Sequence, residues 1–142
     1  MGKRQKRHDA IRKVICENTV RTQRELADLL KAEGFDCTQA TISRDVDDLG
    51  LVKSQEGFYT PPEELRLARL IAEMVLSVQA ACNLVVVKTM PGAAQSVSAA
   101  LDDVHLAGAL GTVAGDDTIM IAAESFEAAD RVAAQVNRLR QD

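Results

Sequence analysis

Little in this sequence is of the kind that carries catalysis or holds a metal. It has two histidines in 142 residues. His8 lies in a basic N-terminal stretch and His105 between Val104 and Leu106, so both are isolated. There is no Gly-x-Ser-x-Gly elbow, no phosphate-binding loop and no calcium-loop spacing of oxygen ligands. Cys16, Cys37 and Cys82 are odd in number and widely spaced. They match no metal motif and are expected to be reduced thiols, mostly buried filler. A protein that is not an enzyme is expected, with no catalytic residue and no metal ligand. No apolar run approaches the roughly 20 residues that span a bilayer. The basic start, residues 1–7, is not followed by an apolar signal core, so a cytoplasmic protein without membrane contact is expected.

What is present is 46% hydrophobic and 27% charged, a globular composition for one medium domain or two small ones. The net charge of −4 hides an uneven distribution. Residues 1–60 hold 11 Lys/Arg against 10 Asp/Glu, and residues 61–142 hold 6 against 11. The first 24 residues hold 8 basic and 2 acidic side chains. A basic arm on a near-neutral unit, followed by an acidic unit, points to two separate tasks.

In the N-terminal part, Ile11, Val14 and Ile15 give the inward face of a helix over residues 8–17. Thr22 and Glu25 have the spacing of a capping box that opens a second helix with Leu26, Leu29 and Leu30 inward. Gly34 stops it. After a short turn Thr38 caps a third helix, whose Ile42, Val46 and Leu49 form a buried stripe. Its other face shows Gln39, Thr41, Ser43 and Arg44, a forked donor among small hydroxyls and an amide, suited to base edges and phosphates. The segments 51–54 and 58–60 around Gly57 read as a hairpin. Three helices and a hairpin make a winged helix-turn-helix. An ordinary amphipathic surface helix would account for residues 38–45 taken alone.

Pro61-Pro62 marks the expected boundary between a DNA-binding domain, 1–62, and a second domain, 63–142. Residues 63–81 read as one helix with two apolar stripes, one for its own sheet and one for another subunit. Leu84-Val85-Val86-Val87 is a buried strand. Pro91-Gly92 precedes a second helix, two extended segments flank Gly115-Asp116-Asp117, and Ser125 caps a last helix with Phe126, Ala129, Val132 and Val136 inward. The expected class is α+β: a winged helix-turn-helix domain, then an α/β oligomerisation domain in the order α-β-α-β-β-α.

Two features of the second domain suggest a ligand. Asp116 and Asp117 are adjacent carboxylates at a break between strands, costly to crowd unless a cation compensates. Gln95 lies near a helix start, where backbone amides favour an anion. Together they suit an amino acid that carries an extra positive charge. A Gly-Asp-Asp hairpin turn and a surface Gln account for the same residues.

These motifs resemble the bacterial arginine repressor family over nearly the whole chain. Thr38-Gln39-Ala40-Thr41-Ile42-Ser43-Arg44-Asp45 is similar to that family's recognition-helix signature. Pro91 to Gln95 and Gly111 to Ile119 are similar to its C-terminal signatures. The resemblance implies a repressor of arginine-biosynthesis genes with L-arginine as co-repressor, no other cofactor, and double-stranded operator DNA as partner. It implies homo-oligomers, trimers that pair into hexamers with arginine at the seam. Ser43 and Arg44 carry over as principal DNA contacts, with Gln39 and Thr41 beside them. Gln95, Asp116 and Asp117 carry over as ligand positions, one Asp taking the guanidinium and the other, with Gln95, the α-amino end; of the two, Asp116 is favoured for the guanidinium. Asp45, Asp47 and Asp48 depart from the basic character expected beside DNA, since carboxylates near phosphates oppose binding. The alternatives are a winged-helix regulator that answers another ligand or activates arginine catabolism, and a ligand-free architectural DNA-binding oligomer.

Overall fold

The computed structural model describes residues 2–141. By internal packing the chain divides into two compact units, Met1–Leu65 and Arg66–Asp142.

The first unit has three helices, α1 (Lys3–Glu17), α2 (Gln23–Ala32) and α3 (Gln39–Asp48), and a short antiparallel hairpin of β1 (Val52–Lys53) and β2 (Tyr59–Thr60). Its core comprises Ile11, Val14, Ile15, Val20, Leu26, Leu30, Ile42, Val46 and Leu51, the helical stripes read from spacing. The Thr22 hydroxyl accepts from the Glu25 amide at 3.1 Å. Glu25 reaches back one residue further than a capping box does, to the Arg21 amide at 2.9 Å. Thr38 caps α3 by accepting from the Thr41 amide. Gly34 and Gly50 follow α2 and α3 with φ of +92° and +67°, a backbone that favours glycine. Tyr59 donates its amide to the Val20 carbonyl at 2.8 Å, which ties the hairpin to the α1–α2 connection. Val52 of the hairpin is exposed, and Tyr59 packs against the core. The basic stretch expected as an arm is helical: α1 begins at Lys3, five residues before the expected start at His8.

Pro62 opens α4 (Pro62–Met74), a suitable first residue because its missing amide hydrogen would have no helical partner. The two units part inside this helix, between Leu65 and Arg66. The second unit continues with β3 (Val75–Ala81), β4 (Leu84–Thr89), α5 (Ala94–Val104), β5 (Ala109–Ala114), β6 (Thr118–Ala123) and α6 (Phe126–Gln141). The fold class is α+β as expected, but the order is α-β-β-α-β-β-α, with one strand more than the sequence suggested. Residues 75–81 are a strand and not the end of a helix. Their inward residues, Val78 and Ala80, alternate with outward Ser77 and Gln79 in register with β4. Helical and strand periods both place i and i+4 on one side, so Leu67, Ile71 and Val75 fitted a helix that had already ended.

The sheet runs β3-β4-β6-β5, antiparallel throughout. Val85, Val87, Ile119, Ile121 and Ala123 point to a core closed by Leu67 and Ile71 of α4, Val97 and Leu101 of α5, and Ala129, Val132 and Val136 of α6. Phe126, expected inward, is exposed, and Ala128 is buried instead. On the other face Val113, Met120 and Val86 stand in one cross-strand row, with Leu84 and Ala122 in the next. Val113, Met120 and Leu84 are exposed. The second apolar stripe expected along α4 does not continue, because Leu76 belongs to β3. The cysteines are not buried filler: Cys16 and Cys82 are exposed and Cys37 is half-buried. No helix of the described residues is long and apolar enough to cross a membrane.

Candidate nucleic-acid interface and ligand groove

Helix α3 has one buried side and one open side. Ile42, Asp45 and Val46 are buried, whereas Gln39 and Arg44 are exposed and Thr41 and Ser43 half-exposed. Arg44 forms no hydrogen bond or ion pair among the described residues, so its fork is available outward. The Thr41 hydroxyl meets that of Thr38 at 3.0 Å. Gln39 donates to the Gln23 side chain at the start of α2.

Two of the three carboxylates that opposed a DNA-reading role are neutralised from α1. Arg7 donates Nε to Asp45 Oδ2 and Nη2 to Oδ1, the latter at 3.0 Å, and His8 Nε2 lies 2.9 Å from Oδ1. One turn along each helix, Arg4 pairs with Asp48 at 2.7 Å. Burial pushes the Asp45 carboxyl up, but the hydrogen bonds and charges of Arg7 and His8 outweigh it and hold the group below the usual carboxylate range. The bond to Asp45 in turn raises Arg7. His8, Asp45 and Asp48 converge closely enough to face one cation, yet the two guanidinium groups already occupy that role. Asp47 stays exposed. Sequence spacing gave no sign of these pairs, which join residues 37 to 44 positions apart.

In the second unit, one face of α5 lies along the edge strand β5. Gln95, Ser98, Asp102 and His105, spaced three or four apart, form that face. Gln95 is the second residue of α5, which starts at Ala94 just after Pro91-Gly92. Its Nε2 donates to the Ala114 carbonyl at 2.8 Å. That bond uses one of the two amide hydrogens and assigns the other end as Oε1, an acceptor. Ser98 and Thr112 share a hydrogen bond of 2.7 Å, and Thr112 donates to Asp102 Oδ1 at 2.9 Å. Beyond them an open cavity of about 410 Å³ is lined by Asp102, His105, Leu106, Leu110 and Thr112.

The acidic turn lies at the start of α5, outside the lining of that cavity. The Asp116 carbonyl accepts from the Ala94 amide at 3.2 Å and the Asp117 carbonyl from the Thr89 amide at 2.8 Å. The turn is thereby fixed by its backbone while both side chains are exposed. Asp117 Oδ1 accepts from the Thr118 hydroxyl, which accepts from Lys88 Nζ at 2.7 Å. The Asp116 carboxylate has no hydrogen-bond partner among the described residues. The bond from the Ala94 amide to the Asp116 carbonyl thus brings the start of α5, with Gln95, beside the turn that carries Asp116 and Asp117. Asp102, two helical turns beyond Gln95, is a third carboxylate that the sequence reading missed. The i+7 spacing from Gln95 was the only available signal.

Two family models cover the chain in order: residues 2–67 match the DNA binding domain of the arginine repressor, and residues 71–138 its C-terminal domain. An arginine repressor of Heliobacterium modesticaldum is 42% identical, covering 94% of this chain and 96% of its own. One of Carboxydothermus hydrogenoformans is 44% identical, over 92% and 94%. The chain belongs to the arginine repressor family. Members of this family are DNA-binding regulators and not enzymes. Membership agrees with the unit structure: the DNA binding model ends just past the division inside α4, and the C-terminal model takes in the whole sheet.

Proposed function

We propose that this chain is an L-arginine-dependent repressor acting in the cytoplasm on arginine-biosynthesis genes. Residues 1–62 bind double-stranded operator DNA, and residues 63–142 oligomerise and take the co-repressor. Gln39, Thr41, Ser43 and Arg44 face the DNA. Gln95, Asp116 and Asp117 hold the ligand, with Asp102 as a further carboxylate.

The observation that carries the reading is the Asp116 carboxylate, exposed and without a partner on a turn whose backbone is pinned. A rigid carboxylate without a counter-charge suits a guanidinium fork, which takes both oxygens, and lysine cannot reproduce that geometry. The oriented Gln95 Oε1 and Asp117 suit an ammonium group. Asp102 lies about 12 Å from the start of α5 along the helix, at ~1.5 Å per residue. That separation favours a ligand shared between copies over one enclosed in a single chain. The open apolar face of the sheet, with Val113, Met120 and Leu84, supports burial against further copies. The active form is then a hexamer, two trimers with arginine between them, stabilised because a ligand favours the state it binds better.

The test is operator binding titrated with L-arginine, with L-lysine as control, while mass in solution is followed. Tighter binding and a larger assembly with arginine alone are expected. Equal binding without ligand, or an equal response to lysine, would refute the reading.

A further inference from the structure

We propose that Arg7, although it lies in the basic N-terminal segment, acts as a positioning residue for the DNA-reading helix and makes no phosphate contact. Locked on Asp45, its guanidinium fixes the rotation of α3 and hence the aim of Ser43 and Arg44. The inference rests on the DNA-binding reading of α3 given above.

Asp45 is only 2% exposed and is the one fully buried charged residue among those described. It directly follows Arg44, so the two side chains point about 100° apart around the helix. Whatever holds Asp45 inward therefore sets the direction of Arg44. Ile42 and Val46 already hold α3 against the core, and the Asp45 pair adds a directional polar constraint on the same buried side. A planar fork on both carboxylate oxygens fixes orientation as well as distance. His8 Nε2 adds a third contact, to Oδ1. The outer rung, Arg4 with Asp48, repeats the pairing one turn away and in reverse order along the two helices, so α1 and α3 run antiparallel through it. The Arg7 side chain is 18% exposed, against 68% for Arg4. Two of its nitrogens are engaged by Asp45, so little of it can reach a phosphate. Lys3 and Lys6 of the same segment are exposed and suited to that role.

The two roles leave different marks. A phosphate contact contributes equally on every sequence and steepens the salt dependence, by about one in the logarithmic slope per residue. A positioning contact affects only the choice of sequence. The full-length chain, with L-arginine, is used to select a duplex from a random pool, and binding to that duplex and to a scrambled one is measured against salt. Wild type, Arg7→Gln, Arg7→Lys, Asp45→Asn and the Arg7→Gln/Asp45→Asn double variant are compared, with Lys6→Gln as a reference.

Arg7→Gln and Asp45→Asn are expected to lower the ratio of selected to scrambled affinity roughly ten- to hundredfold, within the range of lost base contacts. Their salt slopes should match wild type, and the double variant should be no worse than either single one. Arg7→Lys, which keeps the charge and the least disturbed fold, should also lose discrimination. Retained discrimination in Arg7→Lys would overturn the proposal. So would a slope lowered by about one in Arg7→Gln with both duplexes weakened alike. If the wild-type chain selects no preferred duplex, the DNA-binding reading fails together with this inference. A preferred duplex bound equally by the Asp45→Asn protein sinks the inference alone.

Discussion

Gln95 on α5 donates its side-chain amide to the Ala114 carbonyl of β5, 2.8 Å away. One bond satisfies an edge-strand carbonyl and holds the side chain of Gln95 beside the segment that leads into the acidic turn. Gln95→Ala should therefore have separable effects. Because the residue is exposed, stability in urea should fall by no more than about 1 kcal/mol. The rise in melting temperature produced by saturating L-arginine should largely disappear. An undiminished rise would remove Gln95 from the ligand site.

Asp116→Asn and Asp117→Asn should melt within a few degrees of wild type without ligand, since both side chains are exposed. Both should lose most of the arginine-induced thermal shift, Asp116→Asn the more completely. Unfolding of either protein without ligand would show that the carboxylates serve the Gly-Asp-Asp turn itself.

Gly108 has a φ of +86°, and an added Cβ would come within 2.8 Å of the Ala128 Cβ on α6. Gly108→Ala should destabilise the second unit by roughly 2–4 kcal/mol, from backbone strain and overlap together. Adding Ala128→Gly should relieve the overlap and leave the strain, so equilibrium unfolding of the double variant should recover part of the loss. No recovery would locate the whole cost in the backbone.

The depressed pKa of Asp45 fixes the sign of an acid effect. Its stabilisation is present above the unfolded carboxyl pKa of about 3.9 and is lost as pH falls through the lower folded value. Asp45→Asn should flatten the acid limb of the unfolding curve. At neutral pH it should cost about 2–3 kcal/mol, because Arg7 and His8 lose a buried partner. Asp48→Asn, in the exposed pair with Arg4, should cost at most about 1 kcal/mol.

Glu64 behaves oppositely. Burial, then the charge of Glu63, raise its pKa against the lowering effect of the Cys16 thiol, 3.9 Å away. A raised folded pKa means stability that is present at low pH and lost as pH climbs through it. Glu64→Gln should therefore stabilise the protein at neutral pH and not at pH 4. The Cys16 residue is exposed overall, but partial desolvation of its thiol beside α4, and then the charge of Glu64, raise it. The same substitution should speed alkylation of Cys16, measured by mass spectrometry, and an unchanged rate would separate the two groups.

The helices of the first unit were legible because each carries a continuous apolar stripe bounded by Thr22, Thr38, Gly34 and Gly50, whose capping and turning properties are local. Two boundaries were not legible. The start of α1 was hidden because Lys3 to Arg7 has no apolar face, and part of its basic face is matched by Asp45 and Asp48 on another helix. The end of α4 was hidden because Leu67, Ile71 and Val75, spaced four apart, satisfy both periods, and only pairing with β4, with its irregularity between Val75 and Ser77, distinguishes them. Gln95, Asp116 and Asp117 were readable as motif residues, whereas Asp102 required the face that α5 turns to β5.

By itself the chain's order of residues determined that there would be a small helical head with an outward-facing Arg44 and an acidic α+β tail. Local spacing, caps and charge distribution suffice for that, since each acts over a turn or a strand. Only tertiary structure decided which charges remain open. Arg4 and Arg7 are taken by Asp48 and Asp45, while Arg44 and Asp116 are left without partners among the described residues. Ion pairs depend on distance in space, and residues 38 and 44 positions apart have none until the chain is folded.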